Sequence, residues 1–270
     1  MSNILEKITE QTAEDLAKRK RELSFADFNS FEGFEKDRVS FKKALNGNEA
    51  VSIIAEVKKA SPSKGIIRPD FDPVDIALRY EEGGASAISV LTDEPFFKGD
   101  LQYLEAISKR VQLPLLRKDF IIDPYQIKEA RAFGADAVLI IVAITEGKQL
   151  EELIHASNEF GLDALVECYD QDDLDRLDFD LVNILGVNNR DLKNFEVDVH
   201  RGISILKQAP EGTVLVSESG LSSGKDLALL QKEGIHSALI GEYFMRQKDP
   251  GHAVKKLIEQ TEEEFEKQYS

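Results

Sequence analysis

Short runs of aliphatic and β-branched residues alternate along the chain with longer stretches whose apolar positions recur every three or four residues. The runs are VSIIAEV (51–57), ASAISVLT (85–92), LPLLRKDF (113–120), ADAVLIIVA (135–143), LDALVECY (162–169), LVNILGVNN (181–189), TVLVSES (213–219) and HSALIGE (236–242), eight in all. Each has the length and residue types of a buried strand. Amphipathic segments lie between them, such as DPVDIALRYEEGG, DPYQIKEARAFG, EGKQLEELIHASNEFG and SSGKDLALLQKEG. Asp or Ser opens several of these helices and Gly closes them, as capping physics requires. Asp-Pro at 72–73, 123–124 and 249–250 sets proline at the first helical position, where its missing N–H leaves no bond unmade.

Eight strand–helix alternations predict an α/β fold, a (β/α)8 TIM barrel. An open doubly wound sheet would call for a Gly-rich phosphate turn after its first strand, and here that strand ends in a charged loop. Residues 49–270 are expected to form the barrel and residues 1–48 an N-terminal helical extension packed on it, as one domain overall. Within the extension, Ile4, Leu5, Ile8 and Leu16 mark one helix, and SFKKAL (40–45) marks another. Phe25, Phe28, Phe31 and Phe34 recur every third residue. Large aromatic side chains are mostly core, so this stripe is expected to hold the extension against the barrel.

Composition narrows the partners. The chain of 270 residues is 42% hydrophobic, enough for a sizeable core, and its formal net charge of −16 disfavours nucleic acid and anionic lipid. Residues 1–23 carry acids and lysines in place of a signal core. The longest apolar run, AVLIIVAI (137–144), is too short to span a bilayer. The single cysteine, Cys168, makes no internal disulfide, which fits a reducing cytoplasm. A soluble, cytoplasmic monomer without nucleic-acid or membrane partners is expected.

In barrels of this kind chemistry sits at the C-terminal ends of the strands. Glu56 and Lys58 end the first strand and share a face, being two apart. Further on come Thr92–Asp93, Lys118–Asp119, Glu167, then Asn188, Asn189 and Arg190, then Ser217, Glu218, Ser219 and Gly220, and finally Gly241. Any one of these is easily a solvated charge. Two Lys, two Glu, Asn and Arg at one end of a barrel form an active-site pattern. None of the four histidines falls at such a position: His155 and His200 lie in helical segments, His236 opens the last strand and His252 the last helix. Histidine-based nucleophilic catalysis and a zinc site are thereby disfavoured, and no metal is expected. Cys168 adjoins Glu167 and should point away from the lumen as a small buried hydrophobe. SESGLSSG (217–224) and IGEYF (240–244) place glycines just before helix starts, where backbone N–H groups commonly hold a phosphate. The long first βα loop (60–72), with Lys64 and Arg68, is expected to act as a lid.

The stretches AEVKKASPSKGIIRPDFDP, LTDEPFFKG, LRKDFIIDPYQI, GADAVLIIVA, LVE, GVNNRDL, SESGL and IGEYFM run in this order across residues 51–246. In sequence and order they resemble the indole-3-glycerol phosphate synthase family, and the N-terminal extension resembles that family's too. The resemblance implies closure of a pyrrole ring on 1-(2-carboxyphenylamino)-1-deoxyribulose 5-phosphate, with loss of carbon dioxide and water and no cofactor. It implies that Lys118 is an acid at the substrate carbonyl, its pKa lowered by neighbouring cations. Glu56, Glu167 and Lys58 would share the remaining acid–base work. The phosphate would lie on the amides near Ser219–Gly220 and Gly241–Glu242, with Lys58 close by. Ser61, Asn188 and Arg190 would contact substrate, and Phe97 and Phe120 would pack its aromatic ring. The lysines, Arg190 and two helix N-termini would make a positive funnel in an acidic chain. Glu242 stands where some family members carry Ser, so its carboxylate must point away from a phosphate. One rival, phosphoribosylanthranilate isomerase, places Cys at the end of strand one and Asp on strand six; Glu56 with Lys58, and Asn188, stand there instead. The other, a noncatalytic phosphate-metabolite-binding barrel, has no use for Glu56, Lys118 and Glu167 together.

Overall fold

Each of the eight apolar runs forms one strand in the computed structural model, which describes residues 4–46, 50–191 and 196–269. The strands are β1 (Ser52–Val57), β2 (Ala87–Leu91), β3 (Leu115–Lys118), β4 (Ala137–Ile141), β5 (Asp163–Cys168), β6 (Ile184–Asn188), β7 (Val214–Glu218) and β8 (Ser237–Ile240). They pair in parallel in sequence order, and β8 returns to β1 with Ser52 opposite Ser237, closing the barrel. Two helices precede the barrel, α1 (Ile4–Glu22) and α2 (Phe41–Leu45). The others follow the strands: α3 (Pro73–Glu82), α4 (Glu94–Phe97), α5 (Leu101–Ser108), α6 (Pro124–Ala132), α7 (Gln149–Glu159), α8 (Gln171–Leu174), α9 (Val199–Leu206), α10 (Gly224–Lys232), α11 (Glu242–Met245) and α12 (Pro250–Tyr269). Proline opens α3, α6 and α12, as the Asp-Pro pairs predict. The Asp72 carboxylate accepts from the amides of Val74 and Asp75, and Asp123 from that of Tyr125.

Strand alternation divides the apolar residues between two cores. Ile54, Leu116, Leu139, Leu165, Ile184, Val216 and Leu239 fill the barrel interior. Ile53, Leu115, Val138, Val166, Leu185 and Ala238, one residue out of phase, pack under the surrounding helices. Cys168 belongs to this outer core and is fully buried, on the face opposite Glu167. The same phase carries the inward face past the last apolar layer onto Glu56, Lys118, Glu167, Asn188 and Glu218. The polar floor of the cavity is therefore the next turn of a two-residue repeat.

Residues before the barrel close both of its ends. At the N-terminal end α2 contributes Phe41 and Leu45 to the interior core, and the Ser237 hydroxyl donates to the Leu45 carbonyl at 3.3 Å. At the opposite end α1 brings Ile8 into that core, with Ile4 and Leu5 packed on it. Phe28 and Phe34 lie in two short 3-10 turns, Asp27–Ser30 and Glu32–Phe34, with Phe25 before the first and Phe31 between them. Phe28 meets Tyr125 at 4.9 Å between ring centroids and Phe31 meets Phe133 at 5.4 Å. The Lys128 ammonium sits over the rings of Phe25, Phe34 and Phe160 at 4.2, 5.6 and 5.9 Å.

An ionic chain ties α1 to β3. Arg19 reaches Glu129 at 2.6 Å, Glu129 reaches Arg117 at 2.9 Å, and Arg117 reaches Asp119 at 2.8 Å. The Thr92 hydroxyl donates to the same Asp119 at 2.6 Å. Arg117 is fully buried and immediately precedes Lys118, so its pairing holds that end of β3 from behind. A buried guanidinium persists only with such partners, because desolvation would otherwise outweigh it.

Candidate active site

A cavity of about 440 Å³ opens at the C-terminal ends of the strands. All thirteen residues expected from the sequence line it: Glu56, Lys58, Ser61, Phe97, Lys118, Phe120, Glu167, Asn188, Arg190, Ser219, Gly220, Gly241 and Glu242. Lys118 stands at its floor. Its ammonium lies 2.5 Å from Glu218 and 3.2 Å from Glu167, carboxylates delivered by β7 and β5. Lys58 pairs with Glu56 on β1.

Two glycines make room for these carboxylates. A Cβ on Gly186 would collide with Glu218 Oε1, and one on Gly241 with Glu56 Oε1. Both glycines lie on the inward face, so the close approach of a functional side chain explains them.

The electrostatics reverse one expectation. Lys118 was expected to have a lowered pKa set by neighbouring cations. Burial does push it down, but the charges of Glu218, Glu167 and Glu56 outweigh that and raise it above the ordinary lysine range. Its neighbours across the barrel are acids. Burial, reinforced by the Glu167 charge, pushes Glu218 up to about 8 against the pull of Lys118. Two ammonium groups here face three carboxylates, so the cluster carries surplus negative charge unless one carboxyl holds a proton.

Among the described residues the expected positive funnel is absent as such. Lys58, Lys118, Arg190 and Arg246 line the cavity beside Glu56, Asp119, Glu167, Glu218 and Glu242. Positive charge is instead local, with Arg190 and Arg246 together at the Gly241–Glu242 end. The opposite wall is apolar. Phe97 and Phe120 face each other at 6.0 Å between centroids, joined by Ile4, Leu5 and Ile8 of α1. Phe97 is placed by α4, whose first turn is capped by Asp93 accepting from the Phe96 and Phe97 amides.

Loop geometry sets the rest. Ser61 belongs to a small hairpin, Ala60–Ser61 with Gly65–Ile66, whose Pro62 and Ser63 also line the cavity. Arg68 ties the base of this loop down by donating to the Gln247 carbonyl at 2.9 Å. Lys64 and Lys59 do not line the cavity, and the Lys59 ammonium lies 5.9 Å over the Phe71 ring. Asn188 Oδ1 accepts from the Arg190 amide at 3.0 Å. Ser219 and Gly220 both take left-handed backbone, φ 73° and 76°. The buried Asn189 amide fastens this turn, donating at 3.0 Å to both the Ser217 hydroxyl and the Ser219 carbonyl. Asn189 thus supports the site without lining it.

Composition and motif give Glu218 no role in the sequence, although it shares the phase of Val216 and that alternation points it inward. Along the sequence Ile4, Leu5 and Ile8 mark only a helix face. Their place in the cavity wall depends on where α1 docks, which carries no local signal. Among the described residues, no group of three or more His, Cys, Asp or Glu side chains is arranged to hold a metal ion, and no helix is long and apolar enough to cross a membrane.

Comparison with known proteins places this geometry in a family. The family model described as indole-3-glycerol phosphate synthase matches residues 5–257. An indole-3-glycerol phosphate synthase of Campylobacter jejuni is 47% identical over 259 residues, covering 94% of this chain and 100% of the relative. One from Salinibacter ruber is 48% identical over 257 residues, covering 94% and 95%. Among solved structures, 3-hexulose-6-phosphate synthase from Salmonella typhimurium aligns with a TM-score of 0.60 at 17% identity, covering 79% of this chain and 99% of that one. A tryptophan synthase α-subunit from Pyrococcus furiosus aligns with a TM-score of 0.58 at 14% identity, covering 79% and 97%. These last two likenesses concern the barrel fold alone. With its family model matched over nearly the whole length and its curated relatives aligned end to end, the chain belongs to the indole-3-glycerol phosphate synthase family.

Proposed function

We propose that the thirteen lining residues expected from the sequence, together with Glu218, which lines the cavity as well, carry out the family's reaction there. That reaction is a carboxy-lyase step of tryptophan biosynthesis, converting 1-(2-carboxyphenylamino)-1-deoxyribulose 5-phosphate to indole-3-glycerol phosphate. The observation that carries the reading is the position of Lys118, between two carboxylates on a floor with an apolar wall on one side and two arginines on the other.

The chemistry sets three demands. The ring carbon bearing the carboxylate must bond to the ketone carbon, and the oxygen there must receive a proton as charge develops. Lys118 supplies that proton. The carboxylates around it keep it charged, so the acid is present throughout the neutral range, and an alkoxide is basic enough to take its proton. Carbon dioxide then leaves, and the electrons of the broken bond restore the aromatic ring. Finally the new hydroxyl departs as water, which needs one proton given to oxygen and one taken from the neighbouring carbon. Lys58, Glu56, Glu167 and Glu218 share this last pair of transfers.

Binding divides along the cavity. Phe97 and Phe120, with the α1 residues, hold the aromatic ring and exclude water. The turns at Ser219–Gly220 and Gly241–Glu242 hold the phosphate with Lys58 and Arg190, and Ser61 and Asn188 close on the sugar chain. Residues 1–48 act as part of the catalytic unit because α1 supplies a wall. In this reading the protein is a cofactor-free cytoplasmic monomer, and the hairpin loop closes over the substrate.

The chain has no tryptophan, so indole fluorescence rises over little background. Purified protein with the carboxyphenylamino sugar phosphate should give that rise, and well-folded protein that gives none would refute the reading. Lys118→Ala should lose most of kcat while KM moves by a small factor. A raised KM with kcat preserved would make Lys118 a binding residue only.

A further inference from the structure

Glu242 is an unexpected residue to find at the phosphate end of the cavity. Its carboxylate is a third exposed and lines the same space as Ser219, Gly220 and Gly241. Two guanidinium groups meet it. Arg246, one helical turn on, brings both Nε and Nη2 onto Oε1, at 3.0 and 2.9 Å. Arg190, from the far side, brings Nη2 within 3.8 Å of Oε2. One oxygen is thus held by Arg246 and the other is turned toward Arg190.

Stability does not account for the arrangement. An exposed carboxylate–arginine pair four residues apart contributes only a few tenths of a kcal/mol. Set against an anion, the same three side chains have a clear logic. A carboxylate beside a phosphate repels it and competes with it for Arg190. A guanidinium that grips the carboxylate through two nitrogens keeps it from following Arg190.

We propose that Arg246 is a positioning residue for phosphate recognition: by gripping Glu242 it lets Arg190 exchange that carboxylate for the phosphate of the substrate. Arg246 acts through Glu242, and its importance depends on the carboxylate being there. The ligand chemistry is that of a phosphate monoester dianion. The inference rests on the placement of the phosphate proposed above, and the experiment separates the two.

Four proteins decide it: the wild type, Arg246→Ala, Glu242→Ser and the double variant, each checked for folding by thermal unfolding. With Arg246 removed, Glu242 stays on Arg190. KM for the sugar phosphate should rise about tenfold, equivalent to about 1.4 kcal/mol, with the loss mainly in KM rather than kcat. Glu242→Ser keeps the backbone amide of the phosphate turn and removes the competing carboxylate, so its KM should fall below that of the wild type. The double variant should recover to within about threefold of Glu242→Ser, because nothing then needs restraining. Calorimetric titration with inorganic phosphate should rank the four proteins in the same order. A double variant as weak as Arg246→Ala, or an Arg246→Ala KM within about twofold of the wild type, would overturn the inference. If the wild type makes no indole product yet phosphate affinities keep this order, the functional reading fails and the inference stands. Equal phosphate affinity in all four proteins sinks the inference even with turnover intact.

Discussion

Replacing Glu218 by Gln removes one buried ionisable group and almost no volume. In the native protein Lys58 and Lys118 face Glu56, Glu167 and Glu218, so the fully ionised cluster carries one surplus negative charge. The cluster answers by holding a proton, and the Glu218 carboxyl is pushed from its ordinary 4.5 up to about 8. A carboxyl raised on folding gives stability that is complete below the unfolded value and is lost as pH rises through the folded one. Between pH 4.5 and about 8 the native state therefore holds a proton that the unfolded chain has released. Over that window wild-type stability falls as pH rises, at up to about 1.4 kcal/mol per pH unit for the one proton retained. The Glu218→Gln variant carries a neutral amide with no such proton and leaves two positive charges against two negative ones. Urea unfolding of both proteins from pH 5 to 9.5 supplies the assay, since titrations of groups remote from Glu218 cancel in the difference. The difference should move in favour of the variant by about 1.4 kcal/mol per pH unit and level off above pH 8. A difference constant over the whole range would refute the charge argument. Turnover should fall in the same variant, the mark of a strained arrangement kept for function.

Other consequences follow from the same geometry. Gly186→Ala drives a methyl group into Glu218 Oε1 and should lower kcat by about tenfold or more with the barrel still folded; normal steady-state kinetics would refute the close approach. Glu129→Ala leaves the buried Arg117 and the Arg19 of α1 without their shared carboxylate and should cost about 3–5 kcal/mol in urea unfolding. A loss below about 1 kcal/mol would show that the ionic chain does not hold α1 to β3. Cys168→Ala lies in the outer core and should change turnover by less than about twofold, at about 1 kcal/mol of stability, and a large kinetic loss would contradict its outward orientation.

Much of this was legible because strand and cap physics are local. A two-residue repeat decides which residues share a face, so Glu56, Lys118, Glu167 and Asn188 could be assigned to the lumen, and Cys168 away from it, from sequence position alone. Asp-Pro pairs mark helix starts because both the cap and the fixed proline torsion act within one turn. Eight strand–helix repeats imply a parallel sheet covered by helices, and the charged loop after the first strand favours the closed barrel over an open doubly wound sheet. What lies opposite what is another matter. Lys118 meets Glu167 and Glu218 across 49 and 100 residues of chain, and only the closed barrel brings them within hydrogen-bond distance. For that reason sequence position gives the wrong direction for the Lys118 shift: a pKa depends on neighbours in space, and here they are carboxylates. The docking of α1 is likewise decided by a salt-bridge chain into β3 and by aromatic packing on α6, so the apolar wall from Ile4, Leu5 and Ile8 exists only in the tertiary structure. Local periodicity determined which side chains point into the lumen, and barrel closure decided which of them share protons there.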